Sequence, residues 1–160
     1  MARFMRAGTT RFYFVPTIAA TTTLIPTVAE VTAGTRIDAQ IATVNGFSFA
    51  NQPIKTPDMA STFESSIPGK DAADDSSLEM YQVKGTDSIR TALAKGTAGY
   101  MVIFFDGIAG STPAIADKVD TFPCQVASNA KMYTADNEAA KYRVVFTITD
   151  PPKTDLAIAA

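Results

Sequence analysis

The sequence predicts a mainly β fold: two packed antiparallel sheets, as a sandwich or an incomplete barrel, with one flanking α-helix. Three observations lead to this prediction. Short segments of alternating or continuous apolar residues recur along the 160 residues, and Gly, Pro and Asn separate them. Only one segment has the cap and stop signals of a helix longer than one turn. The length fits a single domain, residues 1–160.

The N-terminal part is predicted to contain one strand and one helical turn. Residues 10–15 combine β-branched and aromatic side chains, which favours a strand that follows a flexible arm at residues 1–10. Thr27 and Glu30 have the spacing of a capping box, in which each side chain bonds the other residue's backbone amide. We therefore expect a helical turn over residues 28–33, with the next glycine as a left-handed stop.

Residues 36–51 are predicted to form a β-hairpin, because Asn45-Gly46 is a typical two-residue turn between two strand-like segments. The next segment, residues 52–77, is rich in Pro, Ser and Asp and is predicted to be a long loop with one short strand at 59–67. Its apolar content is too low to offset the entropy of ordering. We expect it to be poorly ordered in an isolated subunit and ordered by a neighbour.

The longest helix is predicted over residues 87–95, between strands at 78–83 and 100–105. Asp87 or Thr86 would cap its N-terminus, and a glycine follows its last turn. Residues 100–105 are continuously apolar, which indicates a central strand buried on both faces.

Two further strands complete the predicted sheets. The first covers residues 119–128, where Pro123 requires a bulge or an edge position because proline lacks an amide proton. The second covers residues 142–148, whose apolar residues alternate with polar ones. Pro151-Pro152 would end it and leave a short tail at residues 151–160.

Composition argues against several function classes. The formal net charge is −2 and the isoelectric point is near 5.0, without a basic patch, so binding of nucleic acid through its phosphates is not expected. Histidine is absent, which removes the commonest general base and zinc ligand. No segment has the roughly 20 apolar residues that a membrane helix needs. We expect no catalytic residue, no metal and no cofactor.

One acidic cluster is the only candidate for chemistry. Asp71, Asp74, Asp75 and Glu79 offer oxygen ligands of the kind that Ca²⁺ prefers, but their spacing does not match an EF-hand loop. A polar turn or a salt-bridging interface is the simpler interpretation. The single cysteine, Cys124, lies within a predicted strand and is interpreted as a small buried apolar residue.

Several short motifs resemble the tail tube (major tail) proteins of long, non-contractile-tailed phages of actinobacteria. The similarity runs from about residue 12 to residue 152 and consists of many weak matches. They are Val15-Pro16-Thr17-Ile18-Ala19, Pro26-Thr27-Val28-Ala29-Glu30, Asn45-Gly46-Phe47, Ile67-Pro68-Gly69, Asp74-Asp75-Ser76-Ser77-Leu78, Thr121-Phe122-Pro123 and Phe146-Thr147-Ile148-Thr149-Asp150-Pro151-Pro152.

The resemblance implies a structural protein of the virion, assembled in the host cytoplasm. It implies a tail-tube-like fold in hexameric rings that stack into a tube, each subunit lending strands to a continuous barrel. It also implies transient, non-specific passage of DNA, and contacts with the tape measure protein, the tail terminator and the tail-tip proteins. A mildly acidic wall of the tube would not bind the phosphates of passing DNA. The formal net charge of −2 agrees with such a wall.

Two sets of residues are candidates for function in such a tube. The first set consists of polar residues on the predicted hairpin that would face the lumen: Asp38, Gln40, Thr43 and Ser48. Arg36 and Arg143 would be paired or would point toward a neighbouring subunit. A second set would lie at the subunit interface: Phe63, Ile67, Lys70, Asp74, Asp75 and Arg90. A monomeric β-sandwich binding module, receptor-binding or secreted, remains an alternative, and an enzyme that uses the acidic cluster is a third.

Overall fold

A computed structural model describes residues 3–134 and 137–160, and most of their regular secondary structure is β. Two short helices are described, α1 (Val28–Ala33) and α2 (Ser88–Ala92). The strands are β1 (Arg11–Val15), β2 (Thr35–Arg36), β3 (Ile41–Asn45), β4 (Phe49–Asn51), β5 (Ile54–Thr56), β6 (Ser65–Ile67), β7 (Asp71–Ala73), β8 (Ser76–Tyr81), β9 (Ala98–Phe104), β10 (Lys118–Met132), β11 (Lys141–Ile148) and β12 (Lys153–Ala157). Neither described helix is long and apolar enough to span a membrane.

Eight strands form one antiparallel sheet in the order β2-β1-β9-β10-β11-β8-β3, and β12 pairs with the first part of β10. β2 and β3 lie at opposite ends of this order, yet only residues 37–40 connect them. Four residues span at most about 14 Å, so the two ends of the sheet must lie close together. The sheet is therefore curled into an incomplete barrel, which is one of the two predicted forms.

Each face of the curled sheet packs against apolar side chains. The larger core lies inside the curl and contains residues from β1, β8, β9, β10 and β11: Phe12, Phe14, Ile37, Leu78, Met80, Leu93, Met101, Ile103, Phe122, Cys124, Val126, Tyr142, Val144 and Phe146. The smaller core lies on the other face, under α1 and the C-terminal residues: Tyr13, Val15, Ile18, Val31, Val102, Phe104, Val119 and Ile158. Alternate residues of β9 enter the two cores, which confirms the predicted central strand.

The capping box of α1 is confirmed. The Glu30 backbone amide donates to Thr27 Oγ1 at 3.3 Å, and the Thr27 amide donates to Glu30 Oε2 at 2.8 Å. The left-handed stop was wrong, because Gly34 has extended backbone angles. A side chain there would meet Val15 Cγ2 at 2.9 Å, so close packing against β1 accounts for this glycine.

Three predictions of local structure were wrong. Strands on either side of Asn45-Gly46 do not pair: β3 pairs with β8, and β4 pairs with β7. Residues 38–40 form a 3-10 turn instead of a strand. The helix predicted over 87–95 as the longest has only five residues, one fewer than α1, although its Asp87 cap is present.

Residues near both termini contact the rest of the fold. Residues 153–157 form β12, and Ile158 is buried, where a tail was predicted. The first two residues of the predicted N-terminal arm lie outside the described residues. Of its remainder, Phe4 contacts the edge of Phe105 with ring centroids 5.8 Å apart, and the Arg6 guanidinium lies 5.2 Å from the same ring.

Pro123 occupies a central strand without breaking it. Its position is where the partner of β10 changes from β12 to β11, since Thr121 pairs with Lys153 and Cys124 with Ile148. The Pro123 carbonyl accepts a hydrogen bond from the Thr149 amide at 3.0 Å. A residue in a strand directs its N–H and C=O to the same side of the strand. The Pro123 nitrogen, which carries no proton, therefore faces the place where the partner of β10 changes from β12 to β11.

Candidate subunit interface

Residues 49–73 form a β-hairpin that stands out from the barrel, and we call it the projecting hairpin. β4 pairs with β7 near the barrel, and β5 pairs with β6 farther out. Both legs leave the same end of the sheet, because Asn45 of β3 and Ser77 of β8 are direct partners. All side chains of residues 48–64 are exposed. The predicted loop, residues 52–77, thus contains two complete strands, β5 and β7, besides the predicted strand, which is reduced to Ser65–Ile67.

Hydrogen bonds hold the two ladders of the projecting hairpin together. Asn51 Nδ2 donates to the Gly69 carbonyl and to Asp71 Oδ1, each at 2.8 Å. The Gly69 amide returns a bond to Asn51 Oδ1 at 3.1 Å. A Cβ at Gly69 would overlap the Gln52 carbonyl oxygen. The two sides of the projecting hairpin therefore approach each other so closely at this position that glycine is required.

The projecting hairpin carries five large, exposed apolar side chains: Phe49, Ile54, Met59, Phe63 and Ile67. Ile54 and Ile67 are direct cross-strand partners and share one face, while Lys55 and Glu64 form an ion pair at 2.8 Å beside them. Exposed apolar groups gathered on one small element are characteristic of an interaction surface. The projecting hairpin is therefore the strongest candidate for contact with another chain.

Five of the six predicted interface residues lie on the projecting hairpin or directly after it. Phe63 has 76% of its surface exposed, and Ile67, Lys70, Asp74 and Asp75 are also exposed. Asp58, Asp74 and Asp75 form no salt bridge within the described part of the chain. This element therefore presents carboxylates as well as apolar groups.

Arg90, the sixth residue, has internal partners. Its Nε donates to Asn129 Oδ1 at 3.2 Å, and its guanidinium lies 5.7 Å from the centre of the Tyr142 ring. Its backbone amide donates to the capping Asp87 Oδ1 at 3.0 Å. These contacts tie α2 to the sheet.

Two predicted lumen residues also have internal partners. Asp38 accepts from Arg36 Nε at 2.6 Å and lies 3.8 Å from Arg11 Nη1. Gln40 Oε1 accepts from the Tyr142 hydroxyl at 3.2 Å. Burial raises the pKa of that hydroxyl to about 12, with a further contribution from the Asp87 carboxylate, so it remains a donor at neutral pH. Asp38 and Gln40 help to close the barrel.

Thr43 and Ser48, the other two lumen candidates, are exposed. Thr43 belongs to a polar surface on the side of β3, β8 and β11 away from the larger core, which we call the outward polar face: Thr43, Asn45, Ser77, Glu79 and Arg143. Arg143 Nη2 lies 3.8 Å from Glu79 Oε1, so Arg143 is paired, as Arg36 is with Asp38. The outward polar face thus has no net charge.

The sequence did not indicate a second exposed surface, at the opposite end of β8. It combines lysines with apolar groups, and we call it the basic end: Tyr81, Val83, Lys84, Lys95, Lys131, Met132 and Tyr133. Tyr133 has 89% of its surface exposed. β10 continues to Met132 although its prediction ended at 128. Both faces of this extension are exposed, so it lacks the apolar alternation that marks a half-buried strand.

The described residues offer little for catalysis. No group of three or more His, Cys, Asp or Glu side chains in residues 3–134 and 137–160 is arranged to hold a metal ion. The acidic cluster is divided, because Asp71 accepts from Asn51 and Glu79 faces Arg143. Cys124 is buried, and burial raises the pKa of its thiol to about 12.

Comparison with known proteins identifies the family. Residues 1–160 match the profile of the family described as phage tail tube protein. The chain belongs to this family. No curated protein has a significantly similar sequence. A tail tube protein is a structural component of the phage tail without enzymatic activity, and it assembles with itself into a tube.

Two solved structures share the fold of this tail tube protein at low sequence identity. A chain of the anti-feeding prophage baseplate, a 6-fold symmetrised cryo-EM structure, is 9% identical, with a TM-score of 0.64 and 96% of each chain covered. A chain of the sheath-tube complex of an extracellular contractile injection system is 10% identical, with a TM-score of 0.59 and 91% and 88% covered. The mainly β, antiparallel fold is thereby confirmed. Family membership also disagrees with both alternatives, a monomeric binding module and an enzyme.

Proposed function

We propose that this tail tube protein forms hexameric rings that stack into the tube of a long, non-contractile tail of an actinobacterial phage. The observation that carries the proposal is the projecting hairpin, whose exposed apolar residues need a partner in the assembled tail. The 6-fold symmetry given for the anti-feeding prophage baseplate supports six subunits per ring. The motif resemblance supports the host lineage.

The edges of the curled sheet support lateral assembly within a ring. Within residues 3–134 and 137–160, β2 and β3 each pair with a strand on one side only, so their other sides offer backbone donors and acceptors. Pairing such edges with neighbours around a ring would remove surfaces that otherwise favour aggregation. The tape measure protein within the tube, and the tail terminator and tail-tip proteins at its ends, are the further partners that we propose.

The outward polar face is our candidate for the lumen wall, with Ser48 beside it. Its residues are uncharged apart from the Glu79–Arg143 pair, so DNA would gain little by releasing counterions there. Asp38 and Gln40, the original candidates, are unsuitable for testing the wall because their substitution would disturb the barrel.

Electron microscopy of the concentrated protein tests assembly directly. We expect rings with six subunits and stacks of such rings. Replacing Phe63 and Ile67 together with Ser should reduce assembly while the fold is kept, because both side chains are exposed. Ile115→Ser, at an exposed site outside the projecting hairpin, is the matched control. A wild-type protein that stays monomeric at high concentration would contradict the proposal.

Genome ejection tests the lumen wall. Phages that carry Thr43→Lys and Ser77→Lys should assemble tails but eject DNA more slowly, most clearly at low salt, where charges are least screened. Thr21→Lys with Thr23→Lys places the same charge in an exposed turn beside the smaller core. Equal ejection rates for both phages at low ionic strength would place the wall elsewhere.

A further inference from the structure

The turn that follows β3 contains the dipeptide Asn45-Gly46, and both residues are exposed. Asn45 is the last residue of β3, and Gly46 has a positive φ of 82°. The side-chain amide of an asparagine can react with the backbone nitrogen of the next residue. A glycine at that position favours the reaction, because it has no Cβ to hinder the approach. The turn therefore joins an electrophile to an accessible nucleophile.

Neither reacting group forms a hydrogen bond with another described residue. Within residues 3–134 and 137–160, the Asn45 side chain has no partner and the Gly46 nitrogen donates to no acceptor. The side chains of Asn51 and Asn129, by contrast, each form three hydrogen bonds. The Asn45 side chain is thus free to rotate toward the Gly46 nitrogen, whereas those two side chains are held in place.

The packing of the turn against β8 requires the glycine. A Cβ at Gly46 would lie 2.8 Å from Ser76 Cα and 2.7 Å from Ser76 Oγ. The Phe47 amide donates to the same hydroxyl at 2.7 Å, and the Phe47 ring packs on Phe122, with ring centroids 5.6 Å apart. A larger residue at position 46 would disturb these contacts, so the fold itself keeps a glycine directly after Asn45.

We infer that Asn45 is a site of spontaneous deamidation in this protein. The Gly46 nitrogen loses its proton to solvent base and attacks Asn45 Cγ. The new C–N bond closes a succinimide ring, the bond from Cγ to Nδ2 breaks, and Nδ2 takes up a proton and leaves as ammonia. Water then opens the ring. Attack of water at Cγ gives aspartate, and attack at the Asn45 backbone carbonyl carbon gives isoaspartate, whose main chain runs through Cβ and Cγ.

The two products change different properties of the turn. Aspartate adds a negative charge to the outward polar face, where the Glu79–Arg143 pair is otherwise balanced. Isoaspartate adds the same charge and also lengthens the main chain by one carbon atom. Because β8 holds Asn45 on one side of the turn and the Phe47 amide on the other, the longer chain should strain the root of the projecting hairpin.

Peptide mass spectrometry after prolonged incubation of the folded protein at mildly alkaline pH tests the inference. Deamidation should be at least about tenfold faster at Asn45 than at the exposed Asn137, because the side chain of Glu138 hinders the attacking nitrogen and Gly46 has no side chain. A methyltransferase specific for isoaspartate should label only the peptide that contains residue 45. Similar rates at Asn45 and Asn137 would overturn the inference.

Unfolded protein provides a reference for the effect of the fold. In concentrated urea the peptide with residue 45 should deamidate whatever the native structure. If the folded protein remains unmodified at Asn45 under conditions in which the unfolded protein reacts, the turn protects the residue and the inference is wrong. Asn45→Gln should remove the reaction, since the longer side chain cannot close a five-membered ring, and Asn45→Ser is a second variant without the amide.

Urea unfolding then separates the effect of the charge from that of the longer main chain. Incubated wild type should have a lower urea midpoint than fresh wild type, whereas incubated Asn45→Gln should not change. Fresh Asn45→Asp carries the charge alone and should unfold like fresh wild type. An equal loss in incubated Asn45→Gln would overturn this consequence. All these measurements use the isolated chain, so their outcome is independent of ring assembly and of the proposed function.

Discussion

At the scale of single residues, several carboxylates in this protein stabilise local structure. Asp38 forms ion pairs with Arg11 and Arg36, and Asp87 caps the N-terminus of α2. Asp120 Oδ1 accepts from the Asp155 backbone amide at 2.9 Å, where β12 bulges away from β10 and Asp155 has a positive φ of 55°. Burial raises the pKa of Asp120, and the Asp155 and Asp106 carboxylates raise it further.

We predict that Asp120→Asn stabilises the protein near neutral pH. Because the pKa of Asp120 is raised on folding, its contribution to stability is full below the ordinary value of 3.8 and is lost as pH rises through the folded-state pKa. Asparagine keeps an acceptor without the charge, and solvent screening limits the gain to about 0.5 kcal/mol. Urea unfolding at about pH 7 and about pH 3.5 should show the gain only at the higher pH. An equal gain from the exposed Asp150→Asn would contradict this explanation.

At the scale of elements, the sequence predicted those that depend on neighbouring residues. The capping box of α1 and the alternation in β11 need only a few adjacent positions, and both are confirmed. Asn45-Gly46 marks a real turn, but the partner of β3 is β8, about 30 residues away. The turn preference of Asn45-Gly46 cannot reveal which strand pairs with β3. The partner is decided by the packing of Val44 against Leu78 in the larger core.

The same limit applies to the candidate site. The length and prolines of residues 52–77 predicted an unusual segment, and five of the six residues chosen for the interface lie on or beside the projecting hairpin. The internal roles of Asp38, Gln40 and Arg90 depend on Arg11, Tyr142 and Asn129, which are distant in sequence. The sequence around a polar residue does not show whether its side chain is exposed or bonded to a residue that is distant in the chain.

We predict that Gly69→Ala disorders the projecting hairpin and leaves the barrel intact. The added Cβ would overlap the Gln52 carbonyl oxygen, whereas the cores lie elsewhere. In the assembled tube, hydrogen exchange within residues 49–73 should become at least about tenfold faster, while the free energy of unfolding of the isolated subunit changes by less than about 0.5 kcal/mol. Gly110→Ala is the control, since its Cβ would find the nearest atom at 4.0 Å. Unchanged exchange in residues 49–73 would refute the prediction.

At the scale of the whole molecule, the C-terminus joins separate parts of the fold. β12 pairs with β10, the Ala159 amide donates to the Pro26 carbonyl at 3.1 Å, and the Val28 amide donates to the Ala159 carbonyl at 3.1 Å. Ile158 enters the smaller core beside Val31 of α1 and Val119 of β10. The C-terminal residues thus close the second face of the sheet.

We predict that Ile158→Ala lowers the free energy of unfolding by about 2–4 kcal/mol, because the site is buried and a cavity would remain. Ile158 has 2% of its surface exposed, whereas Ile115 has 63%. Ile115→Ala removes the same atoms and should cost less than about 0.5 kcal/mol. Urea unfolding of both variants measures the difference. Similar losses for the two would mean that the C-terminus does not contribute to the smaller core.

The position of Cys124 has a practical consequence for labelling. Its thiol is buried within β10 and stays protonated, so maleimides should leave it unmodified in the folded protein. Since it is the only cysteine, a Ser61→Cys variant would offer one reactive thiol at the tip of the projecting hairpin. A fluorophore attached there would report tail polymerisation in real time, without first removing the native cysteine.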